Sequence, residues 1–228
     1  MNCPRCNMKQ PPGAQFCHNC GAPLSENNLP QQCFPLRIEY GNVFCTMQSY
    51  SGSIEIPSSI DGQMVTAIRQ RGFAACQGLT RISIPKTVNT IGRCAFISCG
   101  SLVEITIPES IVDICDQAFY YCSSLKRITI PNSVKTIGAS AFYGCESLVE
   151  IILSESIVEI GLSAFACCYC LKEITIPMSV MAIGDGAFMQ CRSLKRIICP
   201  RGSLREELQR NWFKYGNRDQ NVTFAVRP

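Results

Sequence analysis

The sequence predicts a repeat solenoid of mainly β structure, because three residue types return at one fixed spacing along most of the chain. Phenylalanine, leucine and cysteine each occupy six positions that are 23 residues apart. These positions are Phe73, Phe96, Phe119, Phe142, Phe165 and Phe188; Leu79, Leu102, Leu125, Leu148, Leu171 and Leu194; and Cys76, Cys99, Cys122, Cys145, Cys168 and Cys191. A strict period between about 20 and 50 residues is typical of a stacked array in which each repeat covers its neighbour.

One repeat, residues 125–147, indicates how such a layer would form. Leu125, Ile128 and Ile130 have the spacing of a short strand with one buried face. Pro131 has no backbone N–H donor and ends that strand. The apolar residues that follow have helix-like spacing and predict one short helical turn; they are Ala141, Phe142, Cys145 and Leu148. Layers must stack, because one alone buries too little apolar surface to offset the entropy of ordering it.

The repeat reads L-x-x-I-x-I-P-x-S-V-x-x-I-G-x-x-A-F-x-x-C, and this pattern resembles the leucine-rich repeat of the BspA-like surface antigens. The resemblance covers about Leu36 to Pro228. It implies a right-handed leucine-rich repeat superhelix, mainly β, with short helical turns between the strands. BspA-like proteins are often cell-surface adhesins or antigens, so the resemblance also implies a role of that kind.

Composition sets further limits on function and location. The chain has 228 residues, a formal net charge of +4 and 17 cysteines. The mild charge does not by itself indicate a nucleic-acid or lipid partner, and no apolar run reaches the length of about 18 residues that a membrane span needs. The N-terminus lacks the apolar core of a signal peptide. Because free thiols favour a reducing compartment, we expect a cytoplasmic location, with the cell surface by another route as the alternative.

Four cysteines at the N-terminus predict a structural zinc ribbon in residues 1–24. Cys3 and Cys6 form one C-x-x-C knuckle, and Cys17 and Cys20 form a second one after ten residues. Four thiolates can surround one Zn²⁺ tetrahedrally and leave no open coordination position, so we expect a single structural ion. The stretch is similar to the small zinc ribbons that begin many bacterial proteins. A redox dithiol or a disulfide pair is the alternative.

The segments between the ribbon and the first regular repeat have their own predicted roles. Residues 25–35 are polar and proline-rich and predict a linker. The solenoid is expected to span residues 36–200 and to begin with a hairpin that turns at Gly41-Asn42 and covers the first repeat. The stretch from Pro57 to Phe73 is longer than its equivalents, so the first repeat should bulge.

After the last repeat, residues 201–228 are predicted to form a helix–strand cap. A helix from about Leu204 to Tyr215 would begin with a capping box, and a final strand would follow at Asn221–Val226. Such a cap would close the exposed end of the last repeat, as terminal caps of repeat proteins do.

The repeated cysteines are predicted to form a structural ladder inside the solenoid. In-register strands lie about 4.8 Å apart, so thiols at equivalent positions of successive repeats should lie one above another. The ladder would consist of Cys76, Cys99, Cys122, Cys145, Cys168 and Cys191. In leucine-rich repeats this position holds Asn or Cys, whose side chain supports neighbouring loop backbone. Disulfides or a bound metal are the alternatives to buried thiols that act as weak donors.

Two groups of outward-facing residues are candidates for partner binding. On the strand face Arg and Glu alternate between most neighbouring repeats, which supports strand register. The alternation breaks at Glu150 and Glu173, next to outward-facing Ile152, and we predict a contact site for a basic partner there. Tyr120 and Tyr143 occupy equivalent positions in two adjacent repeats and form the second candidate patch.

Catalysis is not expected. The repeats contain no histidine to activate a nucleophile, and the chain has no glycine-rich phosphate loop. We therefore expect a non-enzymatic scaffold that displays its repeat surface to a protein partner, with the ribbon as a second contact or anchor. An exported adhesin is the first alternative. A nucleic-acid accessory protein is the second, although the few cations of the ribbon disfavour nucleic acid.

Overall fold

The computed structural model describes residues 9, 35–200, 202, 206, 208–210 and 222–226. Within these residues the chain forms a mainly β solenoid of about seven turns with almost no helix, which confirms the predicted solenoid. The strands in chain order are β1 (Leu36–Glu39), β2 (Asn42–Cys45), β3 (Ser51–Glu55), β4 (Ser59–Ile60), β5 (Gln63–Met64), β6 (Ala67–Ile68), β7 (Gly78–Ser83), β8 (Thr90–Ile91), β9 (Glu104–Thr106), β10 (Asp113–Ile114), β11 (Arg127–Thr129), β12 (Thr136–Ile137), β13 (Glu150–Ile152), β14 (Glu159–Ile160), β15 (Glu173–Thr175), β16 (Ala182–Ile183), β17 (Arg196–Cys199) and β18 (Thr223–Val226).

Each repeat contributes two strands to one turn of the solenoid, which we call a rung. The A strands are β3, β7, β9, β11, β13, β15 and β17, and the B strands are β6, β8, β10, β12, β14 and β16. All neighbouring B strands pair in parallel and place one isoleucine column in register: Ile68, Ile91, Ile114, Ile137, Ile160 and Ile183. Partners in this column are 23 residues apart in sequence, so one sequence repeat forms one rung of the solenoid.

The A strands are divided into three short parallel ladders. These ladders are β3-β7-β9, β11-β13 and β15-β17, and the terminal strand β18 is added to the last of them. Their registers also follow the repeat, for example Ile128 opposite Ile151 and Ile174 opposite Ile197. Since A-strand side chains alternate between the core and solvent, the outer face of each A strand displays one residue on either side of a buried isoleucine.

The six phenylalanines form a continuous stack inside the solenoid. Neighbouring ring centroids are 5.2 to 5.6 Å apart, and their planes lie within 23° of parallel. None of the six side chains is more than 5% exposed, and the six leucines of the repeat are buried beside them. Ring contact and apolar burial together therefore hold each rung against the next.

The tight turn that carries each phenylalanine is not helical, so the prediction of a short helical turn was wrong. Successive N–H groups point alternately into the turn and toward the next rung. The Tyr120 N–H donates to the Gln117 carbonyl oxygen within the turn at 3.2 Å, whereas the Phe119 N–H donates to the Ala141 carbonyl oxygen of the next rung at 2.8 Å. A helix directs every N–H along its own axis and could not make the second bond. Left-handed φ angles of 55° at Gln117 and 56° at Tyr121 break the helical path.

The N-terminal hairpin is present, but its turn lies one residue earlier than predicted. β1 and β2 pair antiparallel, and the turn residues Tyr40 and Gly41 have φ angles of 50° and 79°, as a two-residue hairpin turn requires. Asn42 Nδ2 donates to the carbonyl oxygens of Glu39 and Tyr40 at 3.3 and 3.1 Å. Because β2 also pairs in parallel with β6, the hairpin covers the first B strand.

The long stretch of the first repeat forms a second hairpin. β4 and β5 pair antiparallel around Asp61 and Gly62, whose φ angles of 51° and 76° are again left-handed. Ile60 is buried, while Met64 is exposed. One side of the hairpin is thus anchored in the core, and the other projects from the rung as the expected bulge.

Parts of the predicted termini lie outside the described residues. β18 pairs in parallel with β17 and provides the final strand; residues 206 and 208–210 are helical, and Leu208 is buried. The remainder of the predicted helix, the four ribbon cysteines and the linker up to residue 34 fall outside the described part of the chain. Within that part, no helix has the length and apolar character needed to cross a membrane.

Candidate partner-binding surface

A row of ion pairs lies on the outer face of the A strands. The pairs are Arg81–Glu104 at 3.4 Å, Arg127–Glu150 at 3.5 Å and Arg196–Glu173 at 3.5 Å. Every one of these side chains is about half exposed or more, so each pair stabilises the fold by at most about 1 kcal/mol. Each pair joins two strands of the same ladder, and the alternating charges therefore support strand register.

Glu150 and Glu173 lie on neighbouring A strands, but each carboxylate has an arginine on its far side. Arg127 pairs with Glu150 from β11, and Arg196 pairs with Glu173 from β17. β13 and β15 belong to different ladders, so the two glutamates flank a break in the sheet. Ile152 lies two residues from Glu150 on the same face and is 52% exposed. Binding of a basic partner at these three residues stays a prediction.

Three tyrosines form a compact aromatic cluster on the turns of two adjacent rungs. Tyr120 and Tyr143, which the sequence singles out, stack with ring centroids 4.9 Å apart and an interplanar angle of 14°. Tyr121 contacts both rings edge-on, at 4.7 Å from Tyr120 and 5.6 Å from Tyr143. We call these three residues the tyrosine patch. Tyr121 is 42% exposed, so the patch reaches solvent.

Sequence reasoning missed Tyr121, although one signal could have revealed it. The equivalent position in the next rung is Gly144, where an added Cβ would lie 2.6 Å from Cδ1 of the Tyr121 ring. Gly144 also has a left-handed φ of 70°, which glycine adopts without strain. A large residue followed 23 positions later by glycine therefore indicates a side chain that lies over the next rung.

The buried Cys167 side chain affects the titration of the neighbouring tyrosine hydroxyls. The effect of Cys167, together with burial, raises the pKa of Tyr143, so its hydroxyl is protonated at neutral pH. The Arg192 guanidinium lies 5.0 Å from the centroid of the Tyr169 ring and makes a cation–π contact with it.

The cysteine ladder lies inside the solenoid, next to the phenylalanine stack. In five rungs the thiol donates to the carbonyl oxygen of the phenylalanine 26 residues earlier, at 2.9 to 3.3 Å. The donors are Cys99, Cys122, Cys145, Cys168 and Cys191. Burial raises the pKa of the Cys99 and Cys191 thiols to about 12, so both remain protonated and act as donors.

The described residues hold no group of three or more His, Cys, Asp or Glu side chains that could bind a metal ion. Cys3, Cys6, Cys17 and Cys20, the predicted zinc ligands, lie outside those residues. Zinc binding therefore stays a prediction from their spacing.

Comparison with solved structures identifies proteins of similar fold. A T. pallidum leucine-rich repeat protein is 26% identical, with 87% of this chain and 99% of that chain covered and a TM-score of 0.62. A leucine-rich cell-surface protein from Faecalibacterium prausnitzii is 25% identical, with 72% of this chain and 52% of that chain covered and a TM-score of 0.50. The pneumococcal vaccine antigen PcpA, at 17% identity, 85% and 48% coverage and a TM-score of 0.56, shares the fold. No curated protein matches the chain significantly.

The family model for the BspA type leucine-rich repeat region matches six copies, over residues 40–145 and 113–225. These residues include every A and B strand and the whole phenylalanine stack. The sequence pattern, the stacked rungs and this match agree, and the chain belongs to the BspA-type leucine-rich repeat family.

Proposed function

We propose that this chain is a non-enzymatic scaffold that holds a protein partner on its rigid repeat surface. The tyrosine patch carries the proposal, because it is a preorganised aromatic cluster that reaches solvent. Aromatic side chains are enriched in protein interfaces, and tyrosine is among the residues that contribute most to binding energy. Leucine-rich repeat solenoids typically serve as interaction scaffolds, which is consistent with this role.

Rigidity of the patch supports the same proposal. The three rings lie on turns that are bonded to each other, since the Tyr121 N–H donates to the Tyr143 carbonyl oxygen at 2.8 Å. Each of the three rings is also packed against the other two. A side chain that is already ordered loses little conformational entropy when a partner binds, so more of its contact energy contributes to affinity.

Replacement of Tyr120 and Tyr143 together by serine should weaken partner binding by roughly 30-fold or more, since loss of a central tyrosine commonly costs about 2 kcal/mol or more. The measurement is affinity capture from the host with the full chain, followed by titration of each captured protein. Met181→Ser is the matched control, because Met181 is 82% exposed immediately before β16, in a different rung from the patch. The proposal fails if both variants, folded to the same extent, retain the same partners with equal affinity.

Display at the cell surface is the second candidate, and it is favoured by one comparison. The F. prausnitzii protein that this chain resembles is described as a cell-surface protein. On this proposal the scaffold is an exported adhesin, and its partner lies outside the cell. Biotinylation of intact cells with a membrane-impermeant reagent should label the native protein to the same degree as a known surface protein. Labelling only after lysis would instead support the cytoplasmic location expected from the sequence.

We also propose that residues 1–24 bind one structural Zn²⁺ through Cys3, Cys6, Cys17 and Cys20, on the support of their paired spacing. Full-length protein should contain about one zinc ion per chain by elemental analysis, and the Cys3→Ser, Cys20→Ser double variant should lose it. Cys170→Ser, which removes an exposed thiol of the solenoid, is the control and should retain the metal. Zinc absent from the native protein, or retained by the double variant, would reject the site.

A further inference from the structure

The outer surface of the B strands, which we call the B face, exposes apolar side chains in two rungs that are separated by one. Val112 lies directly before β10 and Val158 directly before β14, and their side chains are 48% and 37% exposed. Lys135 occupies the equivalent position of the rung between them: its N–H donates to the Val112 carbonyl oxygen at 2.8 Å, and its carbonyl oxygen accepts the Val158 N–H at 2.9 Å. Leu162, two residues beyond β14, is also exposed. The B face therefore presents apolar surface that no described residue covers.

A carboxylate lies beside each of the two valines. Asp113 and Glu159 are the exposed first residues of β10 and β14. Thr136 lies between them, opposite Asp113 on one side and Glu159 on the other, and its hydroxyl donates to Asp113 Oδ1. Neither carboxylate forms an ion pair with another described residue. Their negative charges are thus left for a partner to neutralise.

The A strands of the same two rungs have their carboxylates paired. Glu104 and Glu150 each meet an arginine of the preceding rung, at 3.4 and 3.5 Å. The B segments of three successive rungs, residues 107–117, 130–140 and 153–163, instead contain five acidic residues and one lysine. Because the whole chain has a net charge of +4, the negative charge is a local property of these segments.

The valine–carboxylate pair recurs in every second rung. Residues 109–114 read ESIVDI and residues 155–160 read ESIVEI, whereas residues 132–137 between them read NSVKTI. Parallel strands lie about 4.8 Å apart, so two rungs place the pairs about 9.6 Å apart along the solenoid. Seven residues of an α-helix rise about 10.5 Å and return to nearly the same face. Residues three apart on a strand span about 10 Å but point to opposite sides. The spacing therefore fits a helix that lies along the solenoid axis.

We propose that the B face of β10, β12 and β14 is a docking surface for a basic amphipathic helix of a partner protein. Cations seven residues apart on that helix pair with Asp113 and Glu159, and its apolar side chains cover Val112 and Val158. Lys135, midway between the pairs, favours an uncharged residue at the middle of that heptad. Complementary charge directs the encounter and fixes the register, and burial of valine surface adds affinity. The inference goes beyond the scaffold role proposed above, because it does not depend on the tyrosine patch.

The test uses the full-length chain and a labelled synthetic peptide as the probe. The peptide has three heptads, each with one lysine, two leucines and otherwise alanine and glutamine, and fluorescence anisotropy measures its Kd. We expect saturable binding that weakens as the salt concentration rises. The same peptide with glutamate in place of every lysine should bind at least roughly tenfold more weakly. Absence of saturable binding by the lysine peptide, or equal binding of the two peptides, would overturn the proposal.

Matched charge variants locate the contact on one face. Asp113→Asn combined with Glu159→Gln should weaken binding of the lysine peptide by roughly tenfold. Glu104→Gln combined with Glu150→Gln removes the same charge from the same two rungs on the A strands and should change the Kd by no more than about twofold. An equal or larger loss in the A-strand variant would place the basic helix at Glu150 and contradict docking on the B face.

Matched valine variants test the apolar part of the contact. Val112→Ser combined with Val158→Ser should weaken binding by roughly fivefold. The control is Val103→Ser combined with Val149→Ser, since these valines lie directly before β9 and β13 in the same rungs and are also exposed. The double serine variant of the tyrosine patch should bind the peptide as the native chain does, so the two surfaces are tested separately. Equal losses in the two valine variants, or loss of binding in the tyrosine variant, would show that the peptide binds elsewhere.

Discussion

Replacement of Phe119 by alanine is expected to lower the free energy of unfolding by about 3–5 kcal/mol. The ring is fully buried and stacks on two others, with centroids 5.3 Å from Phe96 and 5.2 Å from Phe142. Truncation removes apolar contacts on both faces and leaves a cavity between rungs that stay bonded through their backbones, so the site cannot collapse to fill it. Chemical denaturation of the full chain measures the change.

Leu162→Ala is the control for this prediction, because Leu162 is 54% exposed on a turn two rungs away, and its loss should alter stability by no more than about 0.5 kcal/mol. Phe119→Leu keeps part of the buried volume and should fall between the two, which leaves a measurable variant if alanine prevents folding. Equal stability of the Phe119→Ala and Leu162→Ala proteins would show that Phe119 does not lie in a packed column.

Replacement of Gly161 by alanine should destabilise the protein by about 1–3 kcal/mol through overpacking. A Cβ at this position would lie 2.6 Å from the backbone nitrogen of Ala139 and 2.7 Å from the carbonyl carbon of Gly138 in the preceding rung. Neither atom belongs to a flexible side chain, so the two rungs must separate. Separation would also stretch the bond from the Gly161 N–H to the Ile137 carbonyl oxygen, now 2.7 Å long.

Gly100→Ala provides a matched glycine control for the Gly161 variant. The nearest atom to a Cβ at Gly100 is Oε1 of Gln77 at 2.8 Å, the end of a flexible side chain that can rotate away. We expect a change within about 0.5 kcal/mol for this variant. If Gly161→Ala cost no more than Gly100→Ala by thermal or chemical unfolding, close backbone contact between rungs would be disproved.

The buried interior could be predicted from sequence because its positions repeat. Phenylalanine and leucine at fixed positions of each repeat indicate stacked rungs without knowledge of any dihedral angle. Alternating charge on the A strands indicates the register of neighbouring strands. The Arg81–Glu104 and Arg127–Glu150 pairs are the physical basis of that alternation. Both predictions depend only on the spacing of residues along the chain, which can be read from a single sequence.

The turns could not be predicted from spacing, because a helix and the observed turn bury the same side chains. Ala141, Phe142 and Cys145 lie at helical intervals, yet left-handed φ angles at Ser140 and Gly144 send alternate N–H groups to the next rung. Backbone bonds between rungs leave no trace in residue identity except where glycine is required. Tyr121 was missed for the same reason, since only Gly144 in the following rung reveals where its ring lies.

Hydrogen exchange of the phenylalanine amides reports on in-register stacking of the rungs. The N–H groups of Phe96, Phe119, Phe142 and Phe165 each donate at 2.8 Å to an alanine carbonyl oxygen of the next rung. Stacked rungs predict that all four amides exchange at least roughly 10³-fold more slowly than in an unstructured peptide, and at similar rates, because all require the same cooperative opening. Exchange at peptide-like rates at any of these four amides, in protein that is otherwise folded, would contradict the stacked solenoid.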